Sequence, residues 1–227
     1  MISKKTNGRA ENLQREIEEL KAGMTKLGIE FDETVIERFT AYLDILYFHQ
    51  GKLHLISQRD HERISRRHFL PSLLALPYTK RRARICDIGS GAGFPSVPLK
   101  ILRPEVDLVI LESVAKKAGF LAHLVERLRL ERVEVVNMRA EHYTGRSFDL
   151  VLLKAVGKIE KLLAVVDALL IPGGEAIFYK TQEVDAELRR AGRVVEKLGF
   201  TAEIVKTLTP LEQMPLALVR MYRTPRT

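Results

Sequence analysis

A glycine-rich segment at residues 87–95 has the residue types and spacing of a ligand-binding loop. It reads Asp-Ile-Gly-Ser-Gly-Ala-Gly-Phe-Pro and follows a short apolar run. Glycines permit positive φ and let a ligand approach the backbone closely. A dinucleotide site needs the spacing G-x-G-x-x-G, but here the third glycine comes one residue early and Phe94 takes its place. Because Asp87 precedes the turn, where it can accept a hydrogen bond from an ammonium group, the segment favours a ligand with an amino-acid tail.

A second carboxylate indicates that this ligand is a nucleoside. Glu112 ends the apolar run DLVILE, 19 residues after Gly93, at the usual position of a carboxylate that accepts both hydroxyls of a ribose. Taken singly, the glycines could form only a tight turn, and Glu112 could be a surface charge. A nucleoside with an amino-acid tail describes S-adenosylmethionine, so we expect this cofactor. Its predicted binding residues are Asp87, Gly89, Ser90, Gly91, Gly93 and Glu112.

The pattern around this segment alternates between strands and helices, beginning near Arg84. Short apolar runs predict five strands, and the amphipathic stretches between them predict helices. The pair Gly173-Gly174 is expected to separate a helix from the fifth strand, and Gly199 to cap the last helix. The final two β-like runs, 200–208 and 215–223, have no helix between them and predict an antiparallel hairpin. The predicted fold class is α/β, with a Rossmann-like, mostly parallel seven-stranded sheet.

The N-terminal part of the chain differs because its apolar residues recur at helical spacing. Two such stripes, at 17–27 and 35–46, are typical of core packing, and Asp32 is a candidate N-cap of the second helix. A third helical segment, from about His61 to Leu76, is expected to end at Pro77. We therefore expect a helical N-terminal extension over residues 1–80, packed on a main domain over residues 81–227.

The composition favours a polyanionic partner. The 227 residues include 37 Lys or Arg and 29 Asp or Glu, which gives a formal net charge of +8. The excess falls in two clusters, and each is consistent either with a solvated helix face or with phosphate contacts. The first cluster comprises Arg59, His61, Arg63, Arg66, Arg67 and His68, and the second comprises Lys80, Arg81, Arg82 and Arg84.

Cysteine content and hydropathy restrict the compartment. The single cysteine, Cys86, excludes an intrachain disulfide and is typical of a reducing environment. No apolar run reaches the ~18 residues of a transmembrane helix, and the first residues lack the apolar middle of a signal peptide. The six histidines show no ligand spacing with cysteines or carboxylates. We expect a cytoplasmic protein that binds no metal and, because no heptad pattern is present, a monomer.

An ordered set of segments resembles the bacterial 16S ribosomal RNA guanine-N7 methyltransferases (small-subunit methyltransferase G, also called glucose-inhibited division protein B). The segments are RRHFLPSL, DIGSGAGFPSVPL, LESVAKKAGFL, MRAEHY, LLKAVG and GGEAIFYK, and the resemblance extends from about Asp32 to Leu198. It implies a class I S-adenosylmethionine-dependent methyltransferase fold, methyl transfer to a guanine N7 of 16S ribosomal RNA, and the small ribosomal subunit as partner. By position it implies cofactor contacts at Gly89, Gly91, Phe94, Glu112, Ala140, Glu141 and Lys154, with Ala140 and Glu141 beside the adenine.

The reaction that the resemblance implies needs no general base. Guanine N7 has an in-plane lone pair, so an enzyme works mainly by alignment, and a cation suits the O6 and N7 edge of the base. Lys154, at the end of the fourth predicted strand, is our candidate for the residue between cofactor and base, although it could also lie in solvent. Arg67 and His68 are candidate contacts to RNA phosphate or base, and Lys180 to a backbone phosphate.

Other methyl acceptors fit the sequence less well. Exocyclic amines usually require an Asn/Asp-Pro-Pro-aromatic turn after the fourth strand, where this chain has Lys154-Ala-Val-Gly. Attack from carbon 5 of a pyrimidine requires a cysteine nucleophile, but Cys86 lies inside a predicted strand, as a buried structural thiol would.

The chain departs from the family pattern mainly where the substrate is expected. These departures leave two alternatives open: a non-catalytic or altered-target member of the fold that binds RNA or the ribosome, and a small-molecule methyltransferase, against which the basic clusters argue. The departing residues are His49, Gln50, His54, Ile56, Pro71, Lys154 and Gln213.

Overall fold

The computed structural model of the chain describes residues 2–49, 53–144, 147–181 and 183–223. The helices are α1 (Ile2–Lys26), α2 (Glu33–His49), α3 (Leu70–Leu73), α4 (Ser96–Leu102), α5 (Ala115–Arg127), α6 (Ile159–Leu169) and α7 (Val184–Lys197). The strands are β1 (Arg84–Ile88), β2 (Asp107–Leu111), β3 (Val133–Val136), β4 (Phe148–Lys154), β5 (Leu170–Lys180), β6 (Thr201–Leu208) and β7 (Pro215–Tyr222). Within this described part, no helix is both long and apolar enough to cross a bilayer.

The seven strands form one mixed sheet in the order β3-β2-β1-β4-β5-β7-β6. Strands β1 to β5 run parallel, whereas β7 is antiparallel to both β5 and β6. The predicted α/β class, the mostly parallel sheet and the C-terminal antiparallel hairpin are therefore confirmed. The strand order reverses between β1 and β4, and in open α/β sheets ligands bind outside the carboxyl ends of the strands at such a switch point.

The sheet separates two apolar layers, because alternate residues of a strand point to opposite faces. Ile85 and Leu152 belong to the layer that contains the apolar residues of α1, α2, α4 and α5. Cys86 and Leu153 belong to the other layer, which α6 and α7 cover. The helices of the N-terminal extension thus share a core with the sheet, and their two predicted stripes face it. Burial also raises the pKa of the Cys86 thiol, as expected of a structural cysteine.

Two local predictions at the ends of helices are confirmed. The carboxylate of Asp32 accepts the backbone N–H of Val35 at 2.9 Å, which caps the start of α2. Gly199 follows α7 with a φ of +69°, the left-handed conformation that a C-terminal cap requires.

The glycine pair does not separate a helix from the fifth strand, contrary to the prediction. Strand β5 begins at Leu170 and runs through Gly173 and Gly174, with a register shift against β4 between Phe148 and Leu150. A Cβ at Gly174 would lie 2.9 Å from the carbonyl oxygen of Phe148. The glycine therefore permits close approach of two strands, which is a common reason for glycine inside a strand.

The third helical segment is also broken up, rather than continuous to Pro77. It consists of a 3-10 turn at Gln58–Asp60, a π-helical turn at Ser65–Phe69, the short α3 and a second 3-10 turn at Leu76–Tyr78. A proline ring clashes with the carbonyl four residues earlier in an α-helix. For Pro71 that carbonyl belongs to Arg67, inside the π-helical turn, so the wider turn accommodates the proline.

Candidate functional site

The glycine loop, residues 89–95, leads from the carboxyl end of β1 into α4. Gly89, Gly91 and Gly93 have φ values of +70°, +61° and +103°, which confirms the need for glycine in this turn. A Cβ at Gly91 would meet nothing within 4 Å, so this backbone is open to a ligand. A Cβ at Gly93 would instead collide with the hydroxyl of Tyr42. That hydroxyl donates to the carbonyl of Ala92 at 2.6 Å, which fixes the loop on α2.

Asp87, the last but one residue of β1, is fully buried below the loop. Its Oδ2 accepts the hydroxyl of Ser90 at 2.6 Å and the backbone N–H of Ser96 at 3.3 Å. Its Oδ1 is buried and has no hydrogen-bond partner among the described residues. Burial raises the pKa of Asp87 to about 6, against the lowering effect of these hydrogen bonds. An unpaired buried carboxylate oxygen is costly, so Oδ1 is a strong candidate acceptor for a ligand.

Glu112 follows β2 at the same edge of the sheet and is buried. Its Oε2 accepts the N–H of Gly91 at 3.1 Å, and its Oε1 accepts the N–H of Val114 at 2.9 Å. The amide of Asn137 donates to the Glu112 carbonyl at 2.8 Å, which joins the ends of β2 and β3. Since an ionised carboxylate has about four lone-pair sites, Glu112 retains acceptor capacity for two hydroxyls.

Ala140 and Glu141 lie in a 3-10 turn, Ala140–His142, after β3. Ala140 is buried and Glu141 is exposed. Because β3 is the neighbour of β2 in a parallel pair, this turn lies on the same edge of the sheet as Glu112.

Lys154 ends β4 and lies on the other side of the switch point from Glu112. Its Nζ is 5.0 Å from the centroid of the Phe94 ring and 3.4 Å from both the His68 carbonyl oxygen and the Ser72 Oγ. Burial lowers the pKa of Lys154 to about 7, although the charge of Asp87 opposes this shift. The side chain is therefore not a freely solvated lysine: it faces the glycine loop from the end of β4.

His68 contacts the same phenyl ring from the N-terminal extension. Its imidazole stacks on Phe94 with the centroids 4.8 Å apart and an interplanar angle of 14°. Its Nε2 lies 3.6 Å from Oδ2 of Asp60. Burial lowers the pKa of His68, whereas contact with His68 lowers the pKa of Asp60 to about 2. Sequence reasoning missed Asp60, because one acid among arginines gives no local signal of such a pairing.

Arg67 directly precedes His68, and its side chain extends toward the turn between β6 and β7. Its Nε is 2.5 Å from Oε2 of Glu212 and 4.0 Å from Oδ1 of Asp60, and its Nη1 is 2.6 Å from the Met214 sulfur. The side chain keeps 30% of its surface exposed. Arg67 thus joins the N-terminal extension to the C-terminal hairpin next to His68, and its role in RNA binding stays a prediction.

Lys180 ends β5 but makes contacts within the protein. Its Nζ lies 2.7 Å from Oε1 of Glu187 and 2.9 Å from the Gly157 carbonyl oxygen. Glu187 also accepts the N–H of Ile159 at 2.8 Å. Lys180 therefore ties β5 to α6 and α7, and a phosphate would compete with Glu187 for it. Its assignment as an RNA contact stays a prediction.

The second basic cluster lies at the amino end of β1, whereas the glycine loop follows the carboxyl end of the same strand. Arg84 begins β1, and Arg81 pairs with Glu105 at 3.3 Å just before it. A strand of this length spans ~16 Å. Only the first cluster, on the N-terminal extension, is on the same side as Phe94 and Lys154.

The residues that depart from the family pattern lie in different parts of the structure. His49 packs edge-on against Phe120 with centroids 5.3 Å apart, and His54 is exposed with a φ of +44°. Ile56 packs against the core beneath the extension, and the Gln213 amide donates within its own turn to Thr209 and Pro210. Gln50 lies outside the described residues. Within the described ranges, no three His, Cys, Asp or Glu side chains are placed to hold a metal ion.

Comparison with known proteins identifies the family. Residues 35–214 match the family model described as rRNA small subunit methyltransferase G. The ribosomal RNA small subunit methyltransferase G of Syntrophotalea carbinolica is 31% identical over 218 residues, which cover 94% of this chain and 99% of that protein. The protein of the same name from Roseiflexus castenholzii is 39% identical over 190 residues, or 81% of each chain.

Solved structures show the fold. The chain is similar to M. jannaschii TYW2 in complex with AdoMet, with a TM-score of 0.58 at 16% identity over 77% of this chain and 80% of that one. It is also similar to a SAM dependent methyltransferase from Aquifex aeolicus, with a TM-score of 0.55 at 13% identity over 85% and 100% of the two chains. The sheet thus has the predicted Rossmann-like class I methyltransferase fold. Since the family model and the relatives both match most of its length, the chain belongs to the rRNA small subunit methyltransferase G family.

Proposed function

We propose that the protein transfers a methyl group from S-adenosylmethionine to N7 of a guanine in 16S ribosomal RNA. The observation that carries this proposal is the pair of contacts on Phe94. The Lys154 ammonium lies 5.0 Å from the centre of this ring, and the His68 imidazole stacks on it at 4.8 Å. The loop proposed to bind the cofactor thus touches the two side chains proposed to meet the base.

The residues at the switch point fit the cofactor. Asp87 Oδ1, which is buried and unpartnered among the described residues, would accept a hydrogen bond from the ammonium of the amino-acid tail. Glu112 would accept the ribose hydroxyls, and the exposed backbone at Gly91 permits close approach. When bound, S-adenosylmethionine supplies an electrophilic methyl group on a sulfonium. The remaining proposed contacts are Gly89, Ser90, Gly93, Phe94, Ala140, Glu141 and Lys154.

Lys154 would hold the guanine edge rather than remove a proton. The N7 lone pair lies in the plane of the base, so the protein must align the base and exclude competing geometries. Arg and Lys side chains commonly recognise the O6 and N7 edge of guanine, and the Lys154 Nζ lies 5.0 Å from the centre of the Phe94 ring, in the loop proposed to bind the cofactor. It would therefore be a positioning cation that contacts both cofactor and base.

The N-terminal extension would supply the RNA-facing side of the enzyme. Arg67 and His68 would contact phosphate or base, and Lys180 would contact a phosphate after exchanging its contact with Glu187. Residues 1–80 would act as this extension and residues 81–227 as the methyltransferase domain. We place the protein in the cytoplasm as a monomer that acts on the small ribosomal subunit.

The test is methyl incorporation from radiolabelled S-adenosylmethionine. Small subunits from a strain that lacks the gene would be incubated with the protein, and the label would then be mapped. We expect label on a single guanine N7 and a strong decrease with Lys154→Ala. Tight cofactor binding without label on subunits or free RNA would overturn the proposal and indicate a non-catalytic member of the fold.

A further inference from the structure

A polar groove lies on the N-terminal extension, outside the site described above. It has a volume of about 660 Å³ and runs between α1, the end of α2 and residues 58–63. We call it the arginine groove and define it by Arg9, Asn12, Tyr47, Arg59 and Arg63, which line it together with one carboxylate, that of Glu62. The cofactor and catalytic roles assigned above use none of these residues.

The cations of the arginine groove differ in how far they are neutralised. Arg9 is paired with Asp44 at 2.6 Å. Arg59 is exposed and makes no ion pair within the described part of the chain. Arg63 keeps 57% of its side chain exposed and reaches Glu212 only at 3.9 Å. Arg59 and Arg63 are therefore available to an external anion, and the guanidinium fork suits phosphate oxygens.

These arginines lead from the groove toward the proposed methyl-transfer site. Arg59, Arg63 and Arg67 follow at intervals of four residues, and the backbone N–H of Arg67 bonds to the Arg63 carbonyl at 2.8 Å. Arg63 and Arg67 both approach Glu212. The next residue, His68, stacks on Phe94. The arginine-bearing segment thus ends beside the cofactor loop, with Glu212 partly neutralising Arg63 and Arg67.

The backbone that directly follows Arg63 is anchored to α1. Glu16, fully buried in α1, accepts the N–H groups of Ile64 and Ser65 at 2.8 and 2.7 Å. Arg66 pairs with Glu19 of the same helix at 2.6 Å. Because this backbone is already fixed, RNA binding would order mainly the exposed side chains of Arg59 and Arg63.

We propose that the arginine groove binds the backbone of the ribosomal RNA strand that flanks the target guanine, with Arg59 and Arg63 as phosphate ligands. This inference rests on the proposed function, which it deepens by placing the path of the substrate. Positively charged grooves that follow a nucleic-acid backbone are the common means of holding a single strand. The second basic cluster is excluded from this path, because it lies at the amino end of β1 and the glycine loop lies at the carboxyl end.

Three single variants test the path: R59Q, R63Q and R81Q. Each removes one exposed positive charge, and Arg81, which is 87% exposed at the far edge, is the matched control. Binding of purified 16S ribosomal RNA would be measured over a range of salt concentrations, together with KM and kcat for small subunits and the Kd of S-adenosylmethionine. Unchanged Tm values would show that the variants are folded.

We expect R59Q and R63Q each to weaken RNA binding about tenfold and to reduce the salt slope by about one. KM for the subunit should rise, while kcat and the cofactor Kd stay constant. R81Q should match the unmodified protein. If all three variants have the same RNA affinity and salt slope, the proposed role of the arginine groove is wrong, even if the protein methylates subunits normally. If RNA binding is weakened in R59Q and R63Q but not in R81Q, the groove binds RNA. If, in addition, neither the unmodified protein nor any variant methylates subunits, the proposed function is wrong while the role of the groove stands.

Discussion

The imidazole of His68 lies nearly parallel to the phenyl ring of Phe94, with their centroids 4.8 Å apart. His68 comes from the N-terminal extension and Phe94 from the glycine loop, so this stack joins the RNA-facing part of the protein to the cofactor loop. Tyr42 reinforces the junction, since its ring stacks on Phe94 at 5.8 Å and its hydroxyl bonds to Ala92. The extension is therefore part of the structure that holds the loop in place.

Replacing His68 tests whether this stack positions the loop. H68F retains an aromatic ring against Phe94, whereas H68A removes it. We expect H68A to lose ~2 kcal/mol of unfolding free energy and about tenfold or more in kcat, because small misplacements of reacting groups are costly. H68F loses the contact with Asp60 but keeps the ring stack, so it should retain more of the stability than H68A and an unchanged cofactor Kd, as measured by denaturation and calorimetry. If H68F is as unstable as H68A, the ring stack is not what stabilises the loop.

Much of the cofactor site could be predicted because its signals are local. Gly89, Gly91 and Gly93 are needed for positive φ within one turn, and the position of Glu112 is set by the strand that it directly follows. The pairing of Arg67 with Met214 and Glu212 could not be predicted, because it joins residues as far as 147 apart in the chain. Such contacts depend on where the folded sheet places the β6–β7 hairpin, and a short sequence pattern does not contain that information.

The glycine pair in β5 and the π-helical turn illustrate a second limit. Gly173 and Gly174 have the composition of a turn, but the close approach of Gly174 to the Phe148 carbonyl uses the missing Cβ inside a strand. The third segment is likewise predicted as one helix up to Pro77, and its apolar pattern gives no sign of the π-helical turn before Pro71. In β5 the neighbouring strand determines which conformation forms, and in the third segment the wider turn accommodates a proline ring.

Protonation of Lys154 should control the rate at alkaline pH. Burial lowers its pKa to about 7, so the amine is cationic below this pH and increasingly neutral above it. If the cation holds the guanine edge, kcat should fall as the pH rises through about 7. K154R should abolish this decline, because a guanidinium stays charged. K180R is the control, since Lys180 is engaged by Glu187, and it should retain the decline. An unchanged alkaline decline in K154R would assign it to another group.

Ionisation of Asp87 should control the affinity for S-adenosylmethionine at acid pH. Burial raises its pKa to about 6, so the carboxylate that would accept the ammonium is present above this pH and lost below it. We expect the cofactor Kd to rise about tenfold per unit as the pH falls below this value. D87N should bind weakly at every pH.

Glu112 provides the control for this prediction. E112Q should weaken cofactor binding through the ribose, yet the decline in affinity below pH 6 should persist, because Asp87 is intact. Calorimetric titrations of the three proteins across this pH range would check both expectations. A cofactor Kd for the unmodified protein that stays flat across it would show that Asp87 does not bind the ammonium.

Asp60 should stabilise the protein in a pH-dependent way, because it faces His68 and Arg67 and accepts the Ser57 hydroxyl at 2.8 Å. These partners lower its pKa from 3.8 to about 2, so its contribution is complete above the higher value and is lost as the pH falls toward the lower one. We expect D60N to cost on the order of 1–2 kcal/mol at neutral pH. The difference in unfolding free energy from the unmodified protein should narrow only in strong acid.

The control is D44N. It removes a more exposed carboxylate, that of the Arg9 pair, and should change stability little at any pH. Urea denaturation of the three proteins over this pH series would give their free energies of unfolding. If the loss of stability in D60N does not become smaller in acid, Asp60 acts through packing rather than through its charge.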